Sequence, residues 1–513
     1  MKVEDFQLEL RELAGAMPVW HGRVNRDQWR TSARQVHEKG GRLVALWGSD
    51  NTDIGAGFAV HAALTIRSGL LVLTLPVDNE RFPDISDLFP AAERMQRATY
   101  DLLGLRAEHA ADQRKWLRHA AWPENVFPLR KSFDVSQSFD NGVDAYPFVK
   151  VEGEGVHEIP VGPVHAGTIE PGHFRFSVLG EAVLRLEERL GYKHKGIEKQ
   201  FERMSVVQGA KLAGRISCDS TVAYAWAYAM AVESALDLAP PARSLWLRAL
   251  FLERERIGQH LWDLGWLGND GGLAFGLAQF ARLREDWLRL NNSLFGHRYL
   301  MDAVIPGGVS RDVDATAITR MRAELHTVAA EVDKLRTIYD EHAGLQDRFI
   351  AAGRVKPELA EQLGLTGLAG RASAVAWDLR VQFPPGPYDR LDVNMSTHSN
   401  GDVAARVTVR FDEIAESLRL IDLILASVAP GEIALPLPDA RDGAFGIGWV
   451  EGWRGEVLMA LEIDAGNRIR RAHPHDPSWQ NWPVLERAVL GNIVPDFPLI
   501  NKSFNLSYSG HDL

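Results

Sequence analysis

The side chains with the most chemical reach in this sequence are few, and thiols are the scarcest of them. Cys218 is the only cysteine in 513 residues, and it lies inside GRISCDSTVAYAWAYAMAVE, residues 214–233. One thiol excludes an internal disulfide and any iron–sulfur cluster held by four thiolates of this chain. Electrons that reach the protein must come from a partner or a diffusible cofactor. Free cysteine most often serves as a small buried apolar side chain, and that is the expectation for Cys218. His473 and His475 in HPHDP have a spacing seen in some metal sites, but a solvated loop is the expected reading. The glycines of GNDGGLAFG, residues 268–276, lack a preceding strand and a phosphate-binding lysine, and no GxGxxG is present. A nucleotide-binding loop is therefore not expected in this chain.

These groups need elements to hold them, and the composition supplies enough core. Hydrophobic content of 46%, charged content of 24% and 15 Trp describe an ordinary globular protein. A length of 513 residues predicts two or three domains. The net charge of −11 argues against a general affinity for nucleic acid. The longest apolar run, residues 221–232, stops at Glu233 and suits a buried core helix better than a membrane span. The N-terminus, MKVEDFQLELRELAG, is acidic and amphipathic without a signal-peptide core, which predicts a cytoplasmic protein.

Residues 42–47, 57–66 and 69–76 are alternating or β-branched runs that suit a meandering sheet, and residues 87–104 carry helical spacing closed by a glycine. Polar and turn-forming residues take over in 132–146, the best domain boundary. Strand-like runs alternate with glycines over 161–190. Helical patterns then cover 196–213, 221–238, 242–267, 273–294, 312–343 and 406–426. A short strand and turn is predicted at 464–469, and a last helix at 483–490 before an extended tail.

Residues 83–133, from PDISDLFPAAERMQRATYDLLGLRAEHAADQRKWL to PLRKSF, resemble the 30 kDa subunit of respiratory complex I. GPVHAGTIEPGHFRF, YKHKGIEKQFE, GRISCDSTVAYAWAYAMAVE, ERERIGQHLWDLG, RGEVLMALEID and DFPLINKSFNLSYSGHDL follow in order and resemble the 49 kDa subunit of complex I. They resemble still more the large subunit of energy-converting nickel–iron hydrogenases of the formate hydrogenlyase type. Fusion of the two parts in one chain is also similar to that group. The resemblance implies an α+β fold: a small α/β domain over residues 1–135, a linker over 136–155, and a large, mainly helical-bundle domain with a small β region over 156–513.

In that family four cysteine thiolates, supplied as two CxxC pairs, hold the nickel–iron centre, because soft sulfur suits these metals. The matching positions here are Ser217, Ser220, Ser507 and Gly510. A serine hydroxyl stays protonated at neutral pH and ligates soft metals poorly, so the resemblance implies a lost site, and Cys218 cannot stand in for four thiolates. The sequence stops three residues after Gly510, whereas such hydrogenases carry a tail removed after metal insertion. Glu170 in IEPGHFR matches the glutamate that relays protons beside the metal, a role that needs burial to raise its pKa; a surface turn before Pro171 is the alternative. Arg454 in WRGE matches the arginine above the metal, with Glu456 nearby to pair with it. It could steady an anionic substrate or serve only as an ion pair.

Arg215 matches an arginine close to the small subunit's terminal cluster, or pairs with an acidic side chain. His165 is the GPxH histidine of the quinone pocket, but the second histidine is Ile169 and the tyrosine is Cys218, so a quinone site of the complex I kind is not implied. Tyr224 and Tyr508 either offer a hydroxyl to another ligand or simply pack. His194, His260 and His398 are expected as hydrogen-bonded structural residues.

The implied protein is the large subunit of a membrane-associated, complex I-like oxidoreductase without a nickel–iron site. It would bind no cofactor itself. Its partners would be a small iron–sulfur subunit related to the complex I 20 kDa subunit, with a [4Fe–4S] cluster, and membrane subunits that move ions; no nucleic acid is involved. It would sit on the cytoplasmic face of the membrane. Two roles stay open: electron transfer coupled to ion translocation, with Glu170 delivering a proton, or a non-redox scaffold.

Overall fold

The runs predicted as a meander form the strands Leu43–Asn51, Gly57–Ile66 and Gly69–Val77, each antiparallel to the next. This computed structural model describes residues 2–140 and 142–513. Met1 and Asn141, the latter inside the expected linker, lie outside the described residues. Two strands that the sequence pattern did not reveal, Leu10–Glu12 and Val19–Arg23, extend the sheet, and Val19–Arg23 runs parallel to Gly69–Val77. Helix Arg26–Glu38 also escaped the pattern. It opens with a capping box, in which Asn25 accepts the Gln28 N–H and Gln28 accepts the Asn25 N–H, both at 2.9 Å. Helix Ala92–Leu103 lies on strand Leu43–Asn51 and ends at Gly104, whose φ of 80° favours glycine.

Among the described residues of 109–155 there is no helix or strand. Beyond them Val156–Val161, His173–Leu179 and Ala182–Arg189 make a three-stranded antiparallel sheet. The helical part follows, and the fold is α+β as expected. The apolar run becomes helix Thr221–Leu236, buried along its length except at Ala235. It packs on strand Ala444–Glu451 at very short range: a Cβ at Gly448 would lie 1.8 Å from the Ala227 carbonyl oxygen. Helix Ala242–Asp270 packs against Ala274–Phe295 and Val403–Ser427, and Ala315–Glu341 completes the set of long helices. No described helix is long and apolar enough to cross a membrane.

Several predicted elements are corrected. Residues 196–213 form two helices, Ile197–Phe201 and Val206–Ala213, because Arg203 takes a φ of 70° and Ser205 caps a new start. Residues 464–469 turn between two full strands, Glu456–Asp464 and Arg468–His475, in a sheet with Ala444–Glu451. The last predicted helix starts earlier, as Ser478–Ala488 with Pro483 inside it. The expected extended tail is instead two buried helices, Phe497–Phe504 and Tyr508–Asp512. Each is too short to show a helical period in the sequence.

Charged groups cross between the N-terminal sheet unit and the helical part. Arg94 reaches Glu188 at 3.0 Å and Glu486 at 2.7 Å, and Arg42 reaches Glu456 at 3.0 Å. Lys131 donates to Glu202 at 2.7 Å.

Candidate functional site

The four positions that match the ligand pairs of the resembling family meet from distant parts of the chain. Ser217 precedes the 3-10 turn Cys218–Ser220, which feeds helix Thr221–Leu236. Ser507 caps helix Tyr508–Asp512, its Oγ accepting the Gly510 N–H at 2.8 Å. The hydroxyls of Ser217 and Ser507 are hydrogen-bonded at 2.8 Å, and all three serines are buried. Ser217 donates its own proton to Asp219 Oδ1 at 2.6 Å, so Ser507 is the donor between the two serines.

This donor set does not fit a nickel–iron centre. It holds no thiolate, and its hydroxyls are already engaged with one another and with Asp219 and Arg454. Ser220 Oγ accepts from Arg454 Nη1 at 3.2 Å. Gly510 has no side chain to offer, and a Cβ there would lie 2.5 Å from Asp476 Oδ2. The Asp476 carboxylate therefore fills the space a ligand side chain would need. Tyr224 donates to that carboxylate at 2.8 Å.

Arg454 closes the cluster. It is ion-paired with Asp219, donates to the Asn505 carbonyl and stacks 4.0 Å from the Trp453 ring centroid. Burial acts to lower the Arg454 pKa, but the Asp219 carboxylate outweighs it and holds the guanidinium above its usual range. Burial likewise works to raise Asp219, yet Arg454 and the Ser217 hydroxyl draw it below the usual carboxylate range. The expected partner of Arg454, Glu456, is corrected to Asp219: Glu456 is taken up by Arg42, Thr366 and the Trp377 indole. Asn505 extends the network by donating to Asp263 Oδ1 at 2.7 Å.

The remaining candidates lie around this cluster. Glu170 accepts the Ser509 N–H at 2.9 Å and stands 3.8 Å from Lys193, with its side chain 37% exposed. Glu170 is thus half-buried. His165 Nε2 lies 3.3 Å from the Tyr508 hydroxyl, and desolvation lowers the imidazole pKa. Arg215 is exposed and forms a two-pronged ion pair with Asp302 at 2.7 and 2.8 Å. Cys218, expected in the core, is exposed: the turn points Ser217 and Ser220 inward and leaves the thiol outside. Partial desolvation, then Asp219 and Glu170, push that thiol up.

His473 and His475 are also corrected, because they belong to a buried strand and not to a solvated loop. His473 Nδ1 meets Glu198 at 2.8 Å and its ring stacks on Trp47, while His475 Nε2 meets Gln480 at 3.1 Å. His260 bonds Glu413 at 2.8 Å, His194 the Asp512 carbonyl at 2.7 Å, and His398 lies 3.3 Å from Asp412. Reading the sequence missed Asp219 and Asp476. Neither left a signal in the sequence, since Asp219 meets Arg454 across 235 residues.

A sheet unit precedes the helical part, and the cluster is built from both ends of the latter. Sequence models of the respiratory-chain NADH dehydrogenase 30 kDa and 49 kDa subunits match residues 23–139 and 270–441. Formate hydrogenlyase subunit 5 of Escherichia coli is 30% identical over 93% of this chain and 85% of its own length. Hydrogenase-4 component G of the same organism is 29% identical over 93% and 84%. An NADH-quinone oxidoreductase subunit of Bacteroides thetaiotaomicron is 28% identical over 82% and 83%. Among solved structures, a chain of the membrane-bound sulfane sulfur reductase, an archaeal respiratory membrane complex, superposes with a TM-score of 0.66 at 26% identity. It covers 70% of this chain and 99% of its own. The chain belongs to the family of fused 30 kDa-like and 49 kDa-like large subunits that includes formate hydrogenlyase subunit 5.

Proposed function

We propose that this chain is the large subunit of a membrane-associated, complex I-like oxidoreductase in which side chains have replaced the metal centre. The observation that carries this reading is the direct Ser217–Ser507 hydrogen bond of 2.8 Å across the matched ligand positions. Relatives described as a formate hydrogenlyase subunit and as a sulfane sulfur reductase support a scaffold that serves more than one redox chemistry. Electrons are supplied by a small iron–sulfur partner with a [4Fe–4S] cluster, docked near the exposed Arg215 face, and membrane subunits couple the transfer to ion movement. The chain itself holds no metal and lies peripherally on the cytoplasmic side. Purification of the complex with its partners, followed by metal analysis and electron paramagnetic resonance, tests this. The expected result is cluster signals with no stoichiometric nickel, and nickel at one per chain overturns it.

A second reading, a non-redox scaffold, is favoured by the engagement of the Ser217, Ser220 and Ser507 hydroxyls and of Arg454 within the cluster. A partner protein without cluster-binding cysteines would decide for it.

A further inference from the structure

The N-terminal sheet unit and the helical part meet along an open groove that the filled centre does not use. Its wider section, of about 790 Å³, lies between the turn after helix Arg26–Glu38 and the short helix Pro357–Leu363. A narrower section of about 220 Å³ continues to Gln382 and Phe383. Gly40, Gly41, Thr65 and Trp377 line both sections, which makes them one groove. A cleft of this volume at the seam between two units is a common setting for recognition.

Trp377 stands where the sections join. Its indole N–H is taken by Glu456, the Arg42 guanidinium lies 4.6 Å from its ring centroid, and Phe383 meets it edge-on at 6.0 Å. These contacts hold the half-buried ring in place before anything binds, and a pre-ordered tryptophan is the kind of anchor that dominates protein–protein contacts. Half-buried Val375 and Leu363 and exposed Ala376 add apolar surface beside it. The polar groups of this stretch are already spent: the Thr65 hydroxyl accepts the Arg42 N–H, and the Arg42 side chain is held by Glu456. The charges that remain divide by section. Glu358 and Glu361 line the wide one, Lys39 and Arg67 the narrow one, and all four are exposed without an ion-pair partner among the described residues. Asp87, also in the wide section, is held by Arg30 at 2.6 Å.

We infer that this groove is the docking site of a segment of a partner protein: an apolar stretch with a lysine or arginine at the end facing Glu358 and Glu361 and a carboxylate at the end facing Lys39 and Arg67. Opposite charges at the two ends fix the direction of the segment, because reversal would set like charges together. Residues 37–43 and 65–67 belong to the sheet unit and 357–383 to the helical part, so the segment clamps the two and reads their seating against each other. The inference rests on the proposed membership of a multi-subunit complex, and not on the loss of the metal.

Photo-crosslinking in the complex purified with its partners tests this. Benzoylphenylalanine at Ala376 or at Gln362, both exposed groove residues, should form an adduct with a single partner protein. Mass spectrometry should place the adduct in a stretch carrying a basic side chain on one side and an acidic one on the other. In dilute complex the double variant Glu358→Lys, Glu361→Lys should lower the yield about threefold to tenfold, and added salt should lower it in the unmodified complex. Because both glutamates are exposed, the variant should keep the native unfolding midpoint. The absence of a partner adduct, an adduct with a second copy of this chain or with lipid, a crosslinked stretch lacking those charges, or a yield indifferent to the charge reversal overturns the inference. The readout involves neither nickel nor cluster signals, so its failure is separate from any failure of the metal and resonance measurements.

Discussion

Gly510→Ala is the most direct perturbation of the filled centre. A Cβ at that position lies 2.5 Å from Asp476 Oδ2 and 2.9 Å from Ser507 Oγ. Neither neighbour can retreat freely. Asp476 is buried and held by the Tyr224 hydroxyl at 2.8 Å and the Ser478 N–H at 2.9 Å, while Ser507 is bonded to Ser217. Overpacking of this kind costs about 1–3 kcal/mol. Displacing a hydrogen bond to a charged group adds about 1.5–3 kcal/mol, so the expected loss is about 2.5–6 kcal/mol. Denaturant unfolding followed by the fluorescence of the 15 tryptophans reads the loss as a shift in the global midpoint. Asp476→Ala removes the obstacle and strands the Tyr224 hydroxyl, at about 1–3 kcal/mol. Gly510→Ala added to that variant should then cost well under its value in the native background. If the two losses add to within about 0.5 kcal/mol, Asp476 does not occupy the ligand space and the reasoning fails.

Other outcomes are equally specific. Burial raises Glu198, but Arg471 and His473 draw it down to about 2, so its ion pairs stabilise the fold above the unfolded glutamate value and are lost as pH falls through about 2. Glu198→Gln should flatten the acid limb of the stability profile below pH ~4, and an unchanged limb counts against the pairing. Arg454→Gln leaves Asp219 unpaired. Because the Asp219 side chain is 34% exposed, the loss should be about 1–3 kcal/mol and should shrink on acidification as Asp219 protonates, measured by unfolding at two pH values. Cys218 should take up one thiol label per folded chain, slowly at neutral pH and faster in Asp219→Asn; protection from labelling in the isolated chain would contradict its exposure.

The sequence made the sheet strands and the long helices legible because alternation and helical period are strong over eight or more residues. The chain from Leu43 to Val77 is read almost as it folds. The centre was legible as four positions, through family motifs that fix where distant segments meet. Its present contents were not. Whether Arg454 pairs with Asp219 or Glu456 depends on which face of the turn each carboxylate leaves, and neighbours in sequence mislead there. Arg42, more than four hundred residues upstream of Glu456, settles the competition by claiming that residue. His473 and His475 looked solvent-facing because proline and aspartate surround them, yet the strand they end is covered by Trp47 and Trp479. Helix Arg26–Glu38 did carry a usable signal, the Asn25 and Gln28 spacing.

The reach of Arg94 has a consequence for how the protein is made. Its guanidinium is anchored on helix Ala92–Leu103 but neutralised only by Glu188 and Glu486, which arrive much later in the chain. Synthesised as two polypeptides, each half would carry buried-type charges with nothing to meet them, and the halves would have to find one another at cellular dilution. A single chain supplies the partner at an effective concentration of about millimolar and in a fixed one-to-one ratio. Fusion thus keeps Arg94 and its two carboxylates on one molecule, and cutting the chain between the two parts should make their pairing depend on fragment concentration.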